Sequence, residues 1–142
     1  MATGEAKSEI RFTSSPWGFR FYDWDRYCAF MQSIGITDVC SMFGDPKERP
    51  LSFSDNTSEE ELKTILSVAE RHGVRIVEVA GGGDYTVKQG LEQQVERTKG
   101  QLDIGARLGV RIFRLFAGWI RPDEVTEETY AQVSESLAEI GR

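Results

Sequence analysis

"GARLGVRIFRLFAGW", Gly105 to Trp119, is the stretch whose reading decides the fold. Its first part closes an amphipathic helix at Gly109. Helices commonly end on a left-handed residue, and glycine takes that conformation without a Cβ penalty. An apolar run, Val110 to Phe116, follows at once and reads as a strand. Ala117-Gly118-Trp119 then opens a loop. Helix, glycine, strand and loop in this order make one turn of a βα series.

The same grammar recurs outward from this segment. "GITDV" begins at Gly35 and "GVRIV" at Gly73, so the three repeat glycines lie 38 and 36 residues apart. That period suits a supersecondary repeat of strand plus helix. "SLAEIGR" places Gly141 as a fourth such glycine, at the point where a fifth strand would begin. The expected strands are Glu9 to Thr13, Thr37 to Met42, Val74 to Ala80 and Val110 to Phe116. Helix 1 spans Asp23 to Ile34, with Trp24, Tyr27, Cys28 and Met31 on one face. Helix 2 opens at Thr57 or Ser58, each with Glu three residues on, the capping-box spacing. Its stripe is Leu62, Ile65, Leu66 and Ala69. Helix 3 carries Leu91, Val95, Leu102 and Ala106, with Gly100 as an interior weak point. Helix 4 aligns Tyr130, Val133, Leu137 and Ile140. Strict βα alternation predicts a parallel sheet, because parallel neighbours need crossover connections. One domain, residues 9 to 142, follows a polar tail, residues 1 to 8.

Composition narrows the function classes. The 142 residues carry 23 Asp and Glu against 17 Lys and Arg, a net charge of −6. Such a chain repels nucleic-acid backbones, and no basic run offsets this. No stretch approaches the roughly 20 apolar residues of a membrane span. Cys28 and Cys40 lack metal or disulfide spacing and read as buried thiols in a reducing, cytoplasmic setting.

Charges inside the strands are the first candidates for function. Counting five residues from each repeat glycine gives Cys40, Glu78 and Arg114; counting seven gives Met42, Ala80 and Phe116. Alternation puts all six on one face. Val77, Val79, Phe113 and Leu115 then lie under the helices. Glu78 and Arg114 are expected at the same level on adjacent strands as an ion pair, because an unpaired buried charge costs several kcal/mol. The pair either floors a substrate pocket or only fixes register.

With these units in place, the chain resembles the sugar phosphate isomerase/epimerase family, the xylose isomerase-like TIM barrels. "AERHGVRIVEVAGGG", "ARLGVRIFRLFAG" and the long third helix between them carry the resemblance, over about residues 9 to 141. It implies a barrel with its site at the C-terminal strand ends. There a carboxylate base moves a proton next to a sugar carbonyl, assisted by Mn, Mg or Zn. The family's metal ligands follow strands five to eight, so the resemblance assigns no catalytic or metal residue here. Cys40 stands where the family's second strand often has Glu, and Ala80-Gly81-Gly82-Gly83 where many relatives have a histidine. The lone histidine, His72, precedes its strand and falls at the opposite end of the barrel from the chemistry.

The fold expected is α/β, a parallel (βα)4 half of a TIM barrel. Sites in that architecture sit in the loops after the strands. Trp17 and Trp119 could wall a sugar cleft or pack on the rim. The glycines before Asp84 could bring backbone N–H groups to a ligand, or form a turn in which Asp84 or Thr86 caps helix 3. Asp45, Lys47 and Arg49 read as solvated loop charges. Candidate substrate-binding residues are therefore Trp17, Glu78, Asp84, Arg114 and Trp119. A barrel of this kind takes about 250 residues. Four units imply a chain inactive alone, with a sugar or sugar phosphate bound once a complementing half-barrel chain or a second copy completes it. The alternatives are a non-catalytic binding or structural half-barrel that self-associates, and an open doubly wound sheet. The last is disfavoured because the loop after strand 1 has no phosphate-binding character.

Overall fold

The computed structural model describes residues 11–142. Five strands, β1 (Thr13–Ser14), β2 (Asp38–Phe43), β3 (Ser52–Phe53), β4 (Arg75–Gly81) and β5 (Ile112–Leu115), form one sheet in which every pairing is parallel. Helices α1 (Trp24–Ser33), α2 (Glu59–Arg71), α3 (Leu91–Arg107) and α4 (Glu127–Ile140) alternate with them. The sheet runs β1-β2-β4-β5, with β3 also on β2. This is the (βα)4 half of a TIM barrel with one addition. β3, inside the loop after β2, pairs Met42 and Phe43 and extends the edge that β1 begins at Asp38 and Val39. Two residues are too short a run to carry a period-2 signal. Residues 1 to 8 of the expected tail, and Glu9 and Ile10 of the expected first strand, lie outside the described residues. Arg11 and Phe12 are not in a strand. The fourth expected strand shortens to Ile112–Leu115.

One face of the sheet holds the core. Val39, Val74, Ile76 and Val79 meet Trp24, Tyr27, Cys28 and Met31 of α1, Leu62 and Ala69 of α2, and Ile104 of α3. Each fully buried apolar side chain of this size contributes about 1.5–3 kcal/mol. Ile76, not the expected Val77, enters the core. Val39 pairs with Ile76 and Cys40 with Glu78, so Val77 is an extra residue on β4. Such a bulge resets the alternation beyond it.

A second cluster, Tyr85, Val95 and Ile140, joins α3 to α4, with Leu91, Leu102, Leu115 and Val133 against it. The expected stripe of α4 is only half used, since Tyr130 and Leu137 stay exposed. Among the described helices α4 packs chiefly on α3, and Tyr130 and Leu137 of its apolar face stay uncovered. Ala106 of α3 is also exposed, while Thr98 and Gln101 are buried in its place.

The helix ends follow local chemistry. Ser58 caps α2 in a reciprocal box with Glu61. Gly35, Gly73 and Gly109 are left-handed, as the repeat requires. Gly141 is not: at φ −82° its N–H closes the last turn onto Leu137. His72 is the C-cap residue of α2, and its ring touches Asp25 and Gln32 of α1.

Two glycines with opposite surroundings test this packing. A Cβ on Gly81 would lie 2.5 Å from Gln101 Oε1 and 2.7 Å from Phe113 Cζ, whereas nothing approaches one on Gly100. Gly81→Ala is expected to cost about 1–3 kcal/mol by overpacking. Gly100→Ala should add about 0.5–1 kcal/mol by raising helix propensity. Urea denaturation of the two variants reads both signs.

Candidate functional site

Helices cover one face of the sheet, and the other is open. On that concave face Thr13, Cys40, Met42, Glu78, Ala80 and Arg114 line a cavity of about 240 Å³, with Trp17 at its rim. The common face expected for Cys40, Met42, Glu78, Ala80 and Arg114 is therefore present, whereas Phe116, the sixth residue expected on it, lies just beyond the end of β5 and outside this cavity. Cys40 faces Glu78 across the β2–β4 register and donates its thiol to Thr13 Oγ1 at 3.2 Å.

Glu78 and Arg114 do not sit at one level. Glu78 is opposite Ile112, and Arg114 is opposite Ala80. The offset is two residues, so both keep the same face but meet diagonally, with Arg114 Nε 4.0 Å from Glu78 Oε1. Strands that curl toward a barrel stagger in this way. Burial does not force a tight pair here either. The Arg114 side chain is 53% exposed, and water solvates it directly.

Trp17 belongs to a 3₁₀ turn, Pro16–Gly18, after β1. The Arg49 guanidinium lies 4.5 Å above its ring, and Arg49 Nη1 points at Met42 Sδ at 3.6 Å. Arg49 is thus a half-buried, stacked side chain and not the solvated loop charge expected from sequence. No local motif announces it. β3 returns the loop after β2 to the sheet and carries Arg49 inward. Trp119 is 72% exposed and stacks on Phe116, 5.0 Å between centroids, outside the cavity.

The triple-glycine loop gives its N–H groups to the protein. Gly82 N–H donates to Gln101 Oε1 at 2.8 Å, Gly83 N–H to the Tyr85 hydroxyl at 3.1 Å, and Asp84 N–H to Gln94 Oε1. A ligand at this loop therefore meets no free donor from these three residues. Asp84 Oδ1 accepts from Thr86 N–H, closing a local turn. Neither residue caps α3, which starts at Leu91 after a left-handed Gly90.

Burial pushes the Cys28 thiol up to about 11, and burial with the nearby Glu78 carboxylate also raises that of Cys40. Both are free cysteines. Among the described residues no three His, Cys, Asp or Glu side chains converge. The open face offers a divalent ion one carboxylate beside a guanidinium and a protonated thiol. Hard cations need a shell of several oxygens, and this donor set does not fit one. No helix of the described chain is long and apolar enough to cross a membrane.

No protein-family model matches the sequence, and no curated protein matches it. Solved structures do. A sugar phosphate isomerase/epimerase from Parabacteroides distasonis ATCC 8503 superposes with a TM-score of 0.67 at 19% identity, over 99% of this chain and 49% of that one. A xylose isomerase-like TIM barrel protein from Mycobacterium smegmatis, in complex with magnesium, gives 0.66 at 10% identity, over 92% and 50%. A xylose isomerase domain protein from Planctomyces limnophilus gives 0.59 at 12% identity, over 93% and 50%. The likeness shows the fold, and the chain spans about half the length of these structures.

Two measurements test the geometry. A double-mutant cycle of Glu78→Gln and Arg114→Met, read by urea denaturation, should give a coupling of about 0–1 kcal/mol, the range of solvent-exposed pairs. A pair sealed from water would give several times more. Raising a thiol pKa from near 9 to about 11 leaves roughly a hundredfold less thiolate at neutral pH. Iodoacetamide at pH 7.5 should therefore label Cys28 far more slowly in the folded chain than in urea, with the folded rate climbing as pH rises above 9.

Proposed function

We propose that this half-barrel presents the sugar-binding face of an isomerase/epimerase-type barrel and is inactive by itself. The observation that carries this reading is the polar, solvent-open cavity on the concave face, near the strand ends where such barrels hold their sites. Trp17 supplies an aromatic face for the C–H surface of a sugar ring. Glu78 accepts from hydroxyl groups, and Arg114 donates to hydroxyl or phosphate oxygens. Asp84 and Trp119, further round the rim, would contribute only after their local contacts rearrange.

In the complete fold, metal-assisted proton transfer next to a sugar carbonyl would draw its ligands from a second half. That half is either further chain, a complementing half-barrel chain or another copy. Within the described residues the roles are limited to holding and orienting the ligand. The two buried thiols suit a reducing compartment such as the cytoplasm.

A second reading has its own support. Ile112, Phe116 and Trp119 are 54%, 46% and 72% exposed on and beyond β5, an edge strand with an unpaired side. Such an edge invites association. The half-barrel would then be a self-associating structural or binding module.

Saturation-transfer NMR against a panel of aldoses and ketoses tests the first reading. Weak, saturable sugar contact is expected, reduced about tenfold or more by Trp17→Ala as an aromatic contact surface is lost. The chain should show no turnover with Mg²⁺ or Mn²⁺ added. Transfer to no sugar at all would sink the ligand reading, and steady isomerisation by these 142 residues would overturn the claim of inactivity. Sedimentation velocity separates the second reading. Mass near 16.0 kDa at every concentration counts against self-association.

A further inference from the structure

A hollow of about 370 Å³ opens between the start of α1, the loop that carries β3 and the start of α2. It shares no residue with the concave cavity. Trp24 and Phe53, which belong to the core beneath the helices, line it together with Ile65, packed against that core. The exposed Pro46 and Pro50 border it, as do Glu60 and Glu61. We propose that this hollow binds a small cationic amide, whose carbonyl oxygen accepts a hydrogen bond from the Trp24 indole. The site is independent of the sugar reading of the concave face.

Unspent hydrogen-bonding capacity marks the place. Among the described residues two buried side-chain atoms have no hydrogen-bond partner, Trp24 Nε1 and Ser52 Oγ, and both residues line this hollow. Trp24 is 8% exposed and Ser52 3%. Native proteins pair nearly every such group, because an unpaired one gives up its water without a replacement. The other hydroxyls of the wall are used locally. Thr57 Oγ1 donates to Ser54 O at 2.8 Å, Thr64 Oγ1 donates to Glu60 O at 2.9 Å, and Ser58 Oγ accepts from Glu61 N–H in the cap of α2. An indole N–H donates and cannot accept, so the partner it lacks is an acceptor. The Ser52 hydroxyl supplies a second donor to the same carbonyl oxygen. Both atoms are closed to solvent, so the ligand reaches them by shifting the exposed loop at Pro46 and Pro50.

The walls set the rest of the ligand. Trp24 packs on Phe53 with 5.7 Å between centroids, and Ile65, Pro46 and Pro50 extend the apolar lining. Apolar walls with a few placed polar groups, at this volume, suit a small molecule with a hydrocarbon body. Glu60 and Glu61 disfavour an anion and attract a cation. Glu61 is held in position, since its Oε2 accepts from Ser58 N–H at 2.7 Å. Those bonds from Ser58 also keep its carboxyl below the ordinary range, so it is charged at neutral pH. An acceptor oxygen, an apolar body and a positive charge together describe the amide of an amino acid. A phosphate or carboxylate ligand would meet two carboxylates instead.

The probe is phenylalaninamide, titrated at pH 6.5, where its amine is protonated, while the indole Nε1–H resonances of the full chain are followed by NMR. A saturable shift at Trp24 is expected, with Trp17 and Trp119 unmoved. Phenethylamine keeps the ring and the cation but has no carbonyl. It should bind about tenfold more weakly, as for loss of one hydrogen bond to a buried donor. N-acetylphenylalanine, an anion, should also bind more weakly than the amide. Trp24→Phe removes the donor and keeps an aromatic ring. Read at the Thr57 and Ile65 amides, it should weaken phenylalaninamide about tenfold and leave phenethylamine unchanged. Ser52→Ala should weaken the amide in the same direction, and it carries the test if Trp24→Phe unfolds. No saturable shift at Trp24, equal shifts at Trp17 or Trp119, or equal affinity for either comparison compound overturns the proposal. So does unchanged affinity in both Trp24→Phe and Ser52→Ala. Sugar contact at the concave face would move Trp17 and leave Trp24 still, so the two readings fail separately.

Discussion

A parallel sheet asks for cover on both faces, because crossover helices are laid against it and its strands are apolar. In the described residues the helices supply one cover only. Val39, Val79 and Ile76 are sealed beneath α1, α2 and α3. Thr13, Cys40, Glu78 and Arg114 face the other way and line the cavity on the open side. The candidate site follows from that asymmetry. The open face carries polar groups where a sheet built only to be packed would be apolar. A sheet built only to be packed would not place a carboxylate and a guanidinium there, since each costs several kcal/mol once desolvated without good partners. The open face therefore suits a wet cavity better than a dry interface.

Register decides what that cavity contains. The bulge at Val77 moves β4 by one residue against β2, which brings Glu78 opposite Cys40. The two-residue stagger of β5 then carries Arg114 up to the level of Ala80. Without the stagger Arg114 would stand directly beside Glu78 and neutralise it. With the stagger the guanidinium reaches the mouth, over Phe116, and lines the cavity. A small geometric requirement of sheet curvature thus turns a structural ion pair into two separately addressable charges.

The architecture was legible in the sequence because its signals are local. The left-handed glycines at Gly35, Gly73 and Gly109, the Ser58 cap and the Trp24-Tyr27-Cys28-Met31 face each depend on a few adjacent residues. The shared face of Cys40, Glu78 and Arg114 was legible for the same reason, since alternation is a local rule. What escaped is nonlocal. Inter-strand stagger cannot be counted from repeat glycines, so the level of Arg114 was misplaced. The bulge swapped Ile76 for Val77 in the core without any Gly or Pro to mark it. The turn at Asp84 spends its side chain on Thr86, and that competition between a turn and a helix cap is not visible in residue types alone.

Arg49 shows how far such nonlocal effects reach. Its neighbours in sequence, Asp45, Lys47 and Glu48, are exposed loop charges, and by composition it is one of them. What distinguishes it is β3, which begins three residues later and ties the loop back to Met42 and Phe43. Ser41 Oγ reinforces that tie by donating to Leu51 O at 2.6 Å. The return leaves Arg49 between Trp17, from the loop after β1, and Met42, on the sheet itself. Three segments distant in sequence therefore fix one guanidinium. Fixing a cation in this way restricts its rotamers and part of its hydration, a cost recovered only when something accepts its remaining hydrogen bonds. The stacked arginine at the mouth is, on that argument, better suited to receiving a ligand than to closing the loop.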